Sequence, residues 1–129
     1  MRIPRQLYED MIAHAREEAP NECAGMIALS DGVAVDLYRA TNVEASPLRF
    51  TIDGQDLLWT LEIEQRGLDL VIYHSHTRTA PEPSQTDINY AANWPQALWL
   101  IIGLKDAQPE VRLWRIRDGQ VSEAEVTVE

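Results

Sequence analysis

The chain has 129 residues, 45% of them hydrophobic, and carries 21 acidic against 11 basic side chains for a formal net charge of −10. That length predicts one domain over residues 1–129, large enough for one real core. The acidic balance disfavours nucleic acid, whose phosphates need a basic face, and anionic lipid surfaces.

No apolar run reaches the roughly 20 residues that span a bilayer. The opening MRIPRQLYEDM lacks the apolar stretch of a signal peptide, so a cytoplasmic location is expected. A single cysteine, Cys23, allows neither an internal disulfide nor a multi-cysteine zinc cluster. It reads better as a small buried residue in Cys-Ala-Gly-Met-Ile than as a nucleophile.

Pro4 to Glu18 predicts a helix. Proline suits a first turn, and Leu7, Tyr8, Met11, Ile12 and Ala15 form an apolar stripe at helical spacing. Pro20 ends it. Cys23 to Leu29 and Val33 to Tyr38 read as a strand pair turned by Ser30-Asp31-Gly32. Thr41 to Phe50, with Pro47, reads as a loop. Asp53 can cap a second helix running to Arg66, with Gly67 as its stop and Leu57, Leu58 and Leu61 facing the core.

Leu68 to Ser75 is apolar on both faces apart from Asp69, as a central strand should be. Thr77 to Pro83 is a proline-containing loop, and Ser84 can start a third helix to about Asn93. Ala97 to Leu104 is another fully apolar strand. Val111 to Ile116 and Val121 to Val128 alternate around Asp118-Gly119, a hairpin signal. The order α-β-β-α-β-α-β-β-β predicts a mixed sheet with helices packed on it, an α/β layer structure.

The chemistry concentrates in His74-Ser75-His76, Ser84 and Asp87. Residues two apart in a strand point to one side, so His74 and His76 can present both rings to one spot. Neutral imidazole is a good zinc ligand, and Asp87, in the first turn of the next helix, can swing back to supply a third. Two histidines and a carboxylate leave one tetrahedral position open, which marks a catalytic rather than a structural zinc site. The same donors also suit manganese or iron.

A base is still needed, and Glu22, just before the first buried strand, is the candidate. Read locally, a glutamate after Pro20-Asn21 is more often a solvated turn residue. Ser84 has two readings also: a helix cap, although a capping box prefers Glu or Gln at the third position, or a donor to a developing oxyanion.

Taken together, Glu22, His74-Ser75-His76, seven residues, Ser84, two residues and Asp87 resemble the signature of the JAMM (MPN-plus) zinc metalloproteases. Pro20-x-Glu22 with Gly25, Asn42 with Ser46-Pro47, Ile72 to Thr77 and Pro83 to Asp87 are similar to that family's short bacterial branch. The resemblance implies a cytidine-deaminase-like three-layer α/β/α sandwich with a mixed central sheet. It implies zinc on His74, His76 and Asp87, Glu22 as acid/base and Ser84 as oxyanion stabiliser, with Ser75 filling the small position between the histidines.

It also implies a substrate: a ubiquitin-like or sulfur-carrier protein with a glycine-terminated tail, cut after the last glycine, with cysteine as one group released. A non-catalytic binding module of the same family is the competing class, against which the complete residue set argues. A zinc deaminase would need Pro-Cys-x-x-Cys, which one cysteine cannot supply.

Overall fold

The computed structural model describes residues 1–47 and 50–129. The elements are β1 (Arg2–Ile3), α1 (Arg5–Glu18), β2 (Ala24–Ser30), β3 (Val33–Ala40), α2 (Leu58–Gln65), β4 (Asp69–His76), α3 (Gln85–Ala91), β5 (Leu98–Gly103), β6 (Glu110–Arg117), β7 (Gln120–Ala124) and β8 (Thr127–Val128). They build one mixed sheet in the order β7-β6-β5-β4-β2-β3-β1-β8. β4 runs antiparallel to β2 and parallel to β5, so it is central, as its apolar sequence predicts.

Strand periodicity sends β4 to two faces. Val71 and Tyr73 join Met11, Ile12 and Ala15 of α1 on one side. Leu70 and Ile72 join Ile63 of α2 and Ala91 of α3 on the other. Helices therefore cover both faces of the sheet, giving the three expected layers. Each fully buried Ile or Met of these clusters contributes roughly 1.5–3 kcal/mol relative to exposure. Both Asp-Gly turns hold their two residues at positive φ: Asp31 at 49° and Gly32 at 78°, then Asp118 at 51° and Gly119 at 77°. That is the twist a two-residue hairpin demands.

Three expectations are corrected. The second helix begins at Leu58, not near Asp53. Asp53 instead accepts from the Gln55 amide at 2.9 Å, and Asp56 accepts from the Thr41 amide at 2.8 Å. Those local bonds, with Gly54 between them, favour a turn over a helical first turn. The helix phase also differs: Thr60 and Ile63 are buried, whereas Leu58 and Leu61 are 61% and 54% exposed. Leu57 does pack against the core.

The last strand divides, and this is the third correction. β7 closes one edge of the sheet, and β8, two residues later, pairs in parallel with β1 at the other edge. The sheet must curl for both to hold, consistent with the right-handed twist of strands. β1 went unread because two residues carry no period. Of the expected loop from Thr41 to Phe50, positions 48 and 49 lie outside the described residues.

Candidate metal centre

β4 ends at His76, and its period-2 alternation puts His74 and His76 on the α2/α3 face. Both are buried. The rings lie 5.2 Å apart, and Phe50 stacks on His74 at 4.3 Å. His76 Nδ1–H donates to the Ala80 carbonyl at 2.9 Å, which leaves the Nε2 lone pair of the neutral ring facing inward.

Asp87 arrives from α3. Ser84 is the N-cap: its Oγ accepts from the Asp87 amide at 3.1 Å, and its own amide donates to Asp87 Oδ2 at 3.0 Å. A full capping box therefore forms with aspartate, shorter than the preferred glutamate, at the third position. The same Oδ2 lies 2.9 Å from His76 Nε2 and 3.1 Å from His74 Nε2. The helix cap thus aims the carboxylate between the two imidazoles.

Glu22 completes the group. One ligand atom each from Glu22, His74 and His76 fall within 4.8 Å of one another. Its backbone is held on both sides: its amide donates to the Ser46 carbonyl at 2.8 Å, and its carbonyl accepts from Asn42 Nδ2 at 2.9 Å. Next along, the Cys23 amide donates to Ser75 Oγ at 2.8 Å and the Cys23 carbonyl accepts from the Ser75 amide at 3.3 Å. Ser75 is thus more than a small spacer, because it ties the strand of the histidines to the segment of the glutamate.

The donor set fits a divalent cation. Among the described residues, Glu22 Oε1 and both ring nitrogens of His74 are buried without a hydrogen-bond partner, although Asp87 Oδ2 stands 3.1 Å from His74 Nε2. That contact has the distance of a hydrogen bond but not its direction. Orphaned buried polar atoms are costly and call for a partner. Tetrahedral ligands at about 2.0 Å from one ion stand about 3.3 Å apart, close to the separations between Asp87 and each imidazole.

The protonation states agree. Burial pulls the His74 pKa down, which keeps that ring neutral. Asp87 is held well below the usual carboxylate range, because the two imidazoles and the Ser84 amide outweigh its burial. His76 is pulled down by burial but raised overall by Asp87 and the Ala80 carbonyl. Burial pushes Glu22 up to about 8, with His76 opposing and Asp87 adding. Cys23 is also pushed up by burial, to about 12, which suits an inert thiol.

A cavity of about 140 Å³ opens onto the group, lined by Glu22, Pro47, His76, Thr77, Arg78, Thr79 and Ser84. A second, of about 330 Å³, is bordered by Glu44, Phe50, Thr51 and Asp87 with neighbours on α3. The structure therefore brings all five sequence-predicted site residues together. Phe50, Ser46 and the roles of Asn42 and Ser75 were not readable beforehand. Asn42, Ser46 and Ser75 stand in the family pattern, but their contacts cross from distant segments, and that pattern does not say what they touch.

A curled mixed sheet whose central strand ends in buried imidazoles facing carboxylates places the chain among the α/β metallohydrolases. More narrowly, the chain belongs to the prokaryotic homologs of the JAB domain, whose family model matches residues 4–117. It is 35% identical over 131 residues to the CysO-cysteine peptidase of Mycobacterium tuberculosis, covering 98% of this chain and 89% of that one. It is 34% identical over 121 residues to the probable TtuB-protein conjugate cleaving protease of Thermus thermophilus, covering 92% and 77%.

Among solved structures it resembles protein DSY2949 of Desulfitobacterium hafniense, with a TM-score of 0.84 at 27% identity, over 100% of this chain and 93% of that one. The chain is an enzyme of the JAMM metallopeptidase family. No helix among the described residues is long and apolar enough to cross a membrane.

Proposed function

We propose that this enzyme is a zinc-dependent, cytoplasmic peptidase that hydrolyses the bond after the C-terminal glycine of a ubiquitin-like or sulfur-carrier protein. The observation that carries the reading is Asp87 Oδ2 set within 3.1 Å of both histidine Nε2 atoms beside a buried glutamate whose Oε1 has no hydrogen-bond partner. His74, His76 and Asp87 would hold the zinc, which would polarise the scissile carbonyl and supply a nucleophile from water at neutral pH.

Glu22 acts as the base and then the acid. Burial in the metal-free site pushes its pKa up to about 8, and a neighbouring dication would draw it back down toward neutrality, the range in which one carboxyl can take a proton and deliver it to the leaving amine. Its carboxylate oxygen lies within 4.8 Å of the histidine ligand atoms, close enough to reach the reacting centre directly or through one water. Ser84 Oγ accepts from the Asp87 amide, which leaves its O–H free to donate to the oxyanion that develops on the carbonyl. Cap and catalytic donor are therefore compatible on one hydroxyl.

The cavity beside Glu22 is narrow and walled by Pro47 and the 77–79 loop. A tail ending in glycines fits such an approach, pairing through its backbone. The relative named a CysO-cysteine peptidase supports cysteine as the group released. The test offers the zinc-loaded enzyme a small sulfur-carrier protein extended by one cysteine, and the same protein joined to a lysine side chain. Mass spectrometry should show loss of the cysteine and a chain ending in glycine. No cleavage of either would overturn the proposal.

A further inference from the structure

Glu22 carries the proposed proton transfer, yet its backbone is anchored by a segment far away in sequence. Asn42 Nδ2 donates to the Glu22 carbonyl at 2.9 Å. The other half of that amide faces the opposite way: Oδ1 accepts from the Thr51 amide at 2.9 Å and from the Glu44 amide at 3.1 Å. This orientation of the carboxamide alone matches every partner, since a carbonyl must meet the NH2 and two amides must meet the oxygen.

The segment that Oδ1 closes is the wall of the cleft. Val43 donates to the Thr51 carbonyl at 2.9 Å and Asn42 bridges to Ile52, so Val43 and Thr51 meet beside Asn42. Pro47 of that loop lines the cavity beside Glu22, His76 and Ser84. Glu44, Phe50 and Thr51 line the cavity beside Asp87. Ser46 accepts from the Glu22 amide itself. A chain lying in either cavity therefore meets residues of a segment that the Asn42 side chain, beside the Ser46 carbonyl, ties to Glu22.

We propose that Asn42 is a positioning residue that couples the 43–51 loop to Glu22, so that a glycine-ended tail in the cleft and the proton-transferring carboxylate are set by the same three hydrogen bonds. The tail half of this inference rests on the peptidase reading given above. The link between Asn42 and Glu22 stands on the geometry alone.

Asn42→Asp and Asn42→Ala separate the two halves. Aspartate keeps the oxygen for Thr51 and Glu44 but removes the donor to Glu22 and sets a charge against its carbonyl. Alanine removes both. Per metal-loaded chain, Asn42→Asp should lower kcat about 10- to 100-fold, as small misplacements of a catalytic group do, with KM for the tail substrate nearly unchanged. Asn42→Ala should lower kcat and also raise KM.

Backbone amide NMR of the metal-free protein supplies a readout that needs no turnover. Asn42→Asp should shift the Glu22 and Cys23 resonances and leave Glu44 and Thr51 protected. A kcat for Asn42→Asp equal to wild type, or activity lost only in proportion to unfolded or metal-depleted chain, overturns the proposal. So do Glu22 and Cys23 resonances that stay in place. If the alanine variant does not fold, the aspartate variant and its spectra decide alone. Wild-type enzyme that cleaves no glycine-tail substrate overturns the peptidase reading, and the NMR comparison then judges the Asn42–Glu22 link on its own.

Discussion

Replacing Glu22 by glutamine should flatten the pH dependence of stability in the metal-free protein. Unfolded, the carboxyl ionises near 4.5; folded, burial pushes it up to about 8. A folded pKa above the unfolded one means that the native state holds its proton longer. The stabilisation is complete below pH 4.5 and is lost as pH rises through about 8. At 1.36 kcal/mol per pH unit, that interval corresponds to at most about 5 kcal/mol, and solvent entering the cleft reduces it to a few.

His76, also raised, adds a smaller loss in the same direction. Asp87, held low, contributes only in acid. Glutamine resembles the protonated glutamate. The variant should therefore match wild type near pH 5 and exceed it near pH 9, keeping the slope of His76 and the opposite slopes of His74 and His14, whose lowered pKa values add stability as pH rises toward 6.5. Urea unfolding of both proteins with the metal chelated, stepped between those limits, measures this. Parallel curves, or a glutamine variant less stable at high pH, would refute the buried-carboxylate argument.

Two further outcomes are expected. Ser84→Ala should keep its metal, lose about 1 kcal/mol of helix cap, and slow turnover about 10²–10³-fold; metal content, thermal midpoint and kcat check each part, and an unchanged rate leaves the serine a cap only. Gly25→Ala should destabilise by about 1–3 kcal/mol or more, because a Cβ there would stand 2.2 Å from the fully buried Tyr73 ring, whose hydroxyl shares a 2.7 Å hydrogen bond with His14 Nδ1. Chemical denaturation reads this, and a change under about 0.5 kcal/mol would mean that the ring moves aside freely.

Much of the centre was legible because its logic is local. His74 and His76 share a face by strand period, and Asp87 follows from a helix cap three residues after Ser84. The apolar runs of β4 and β5 marked the middle of the sheet, and Asp-Gly marked both hairpin turns. What stayed hidden depends on distance in sequence. Phe50 against His74, Ser75 against Cys23, and Asn42 against Glu22 are pairings of segments that only the fold brings together.

The second helix was misread for a related reason. Leu57, Leu58 and Leu61 look like a core stripe, but Asp56 is drawn to the Thr41 amide, and the helix starts late with another face inward. The crossing from β7 to β8 has no sequence mark either, because it reflects the curl of the whole sheet.

The proposed peptidase needs one divalent cation on His74, His76 and Asp87, and titration of metal-free protein with Zn²⁺ against a chromophoric chelator tests this most directly. The predicted result is one tightly held ion per chain, retained in Glu22→Gln and lost in His74→Ala and in Asp87→Ala. Wild-type protein that takes up no ion, or a His74→Ala variant that binds it as tightly, would contradict the account.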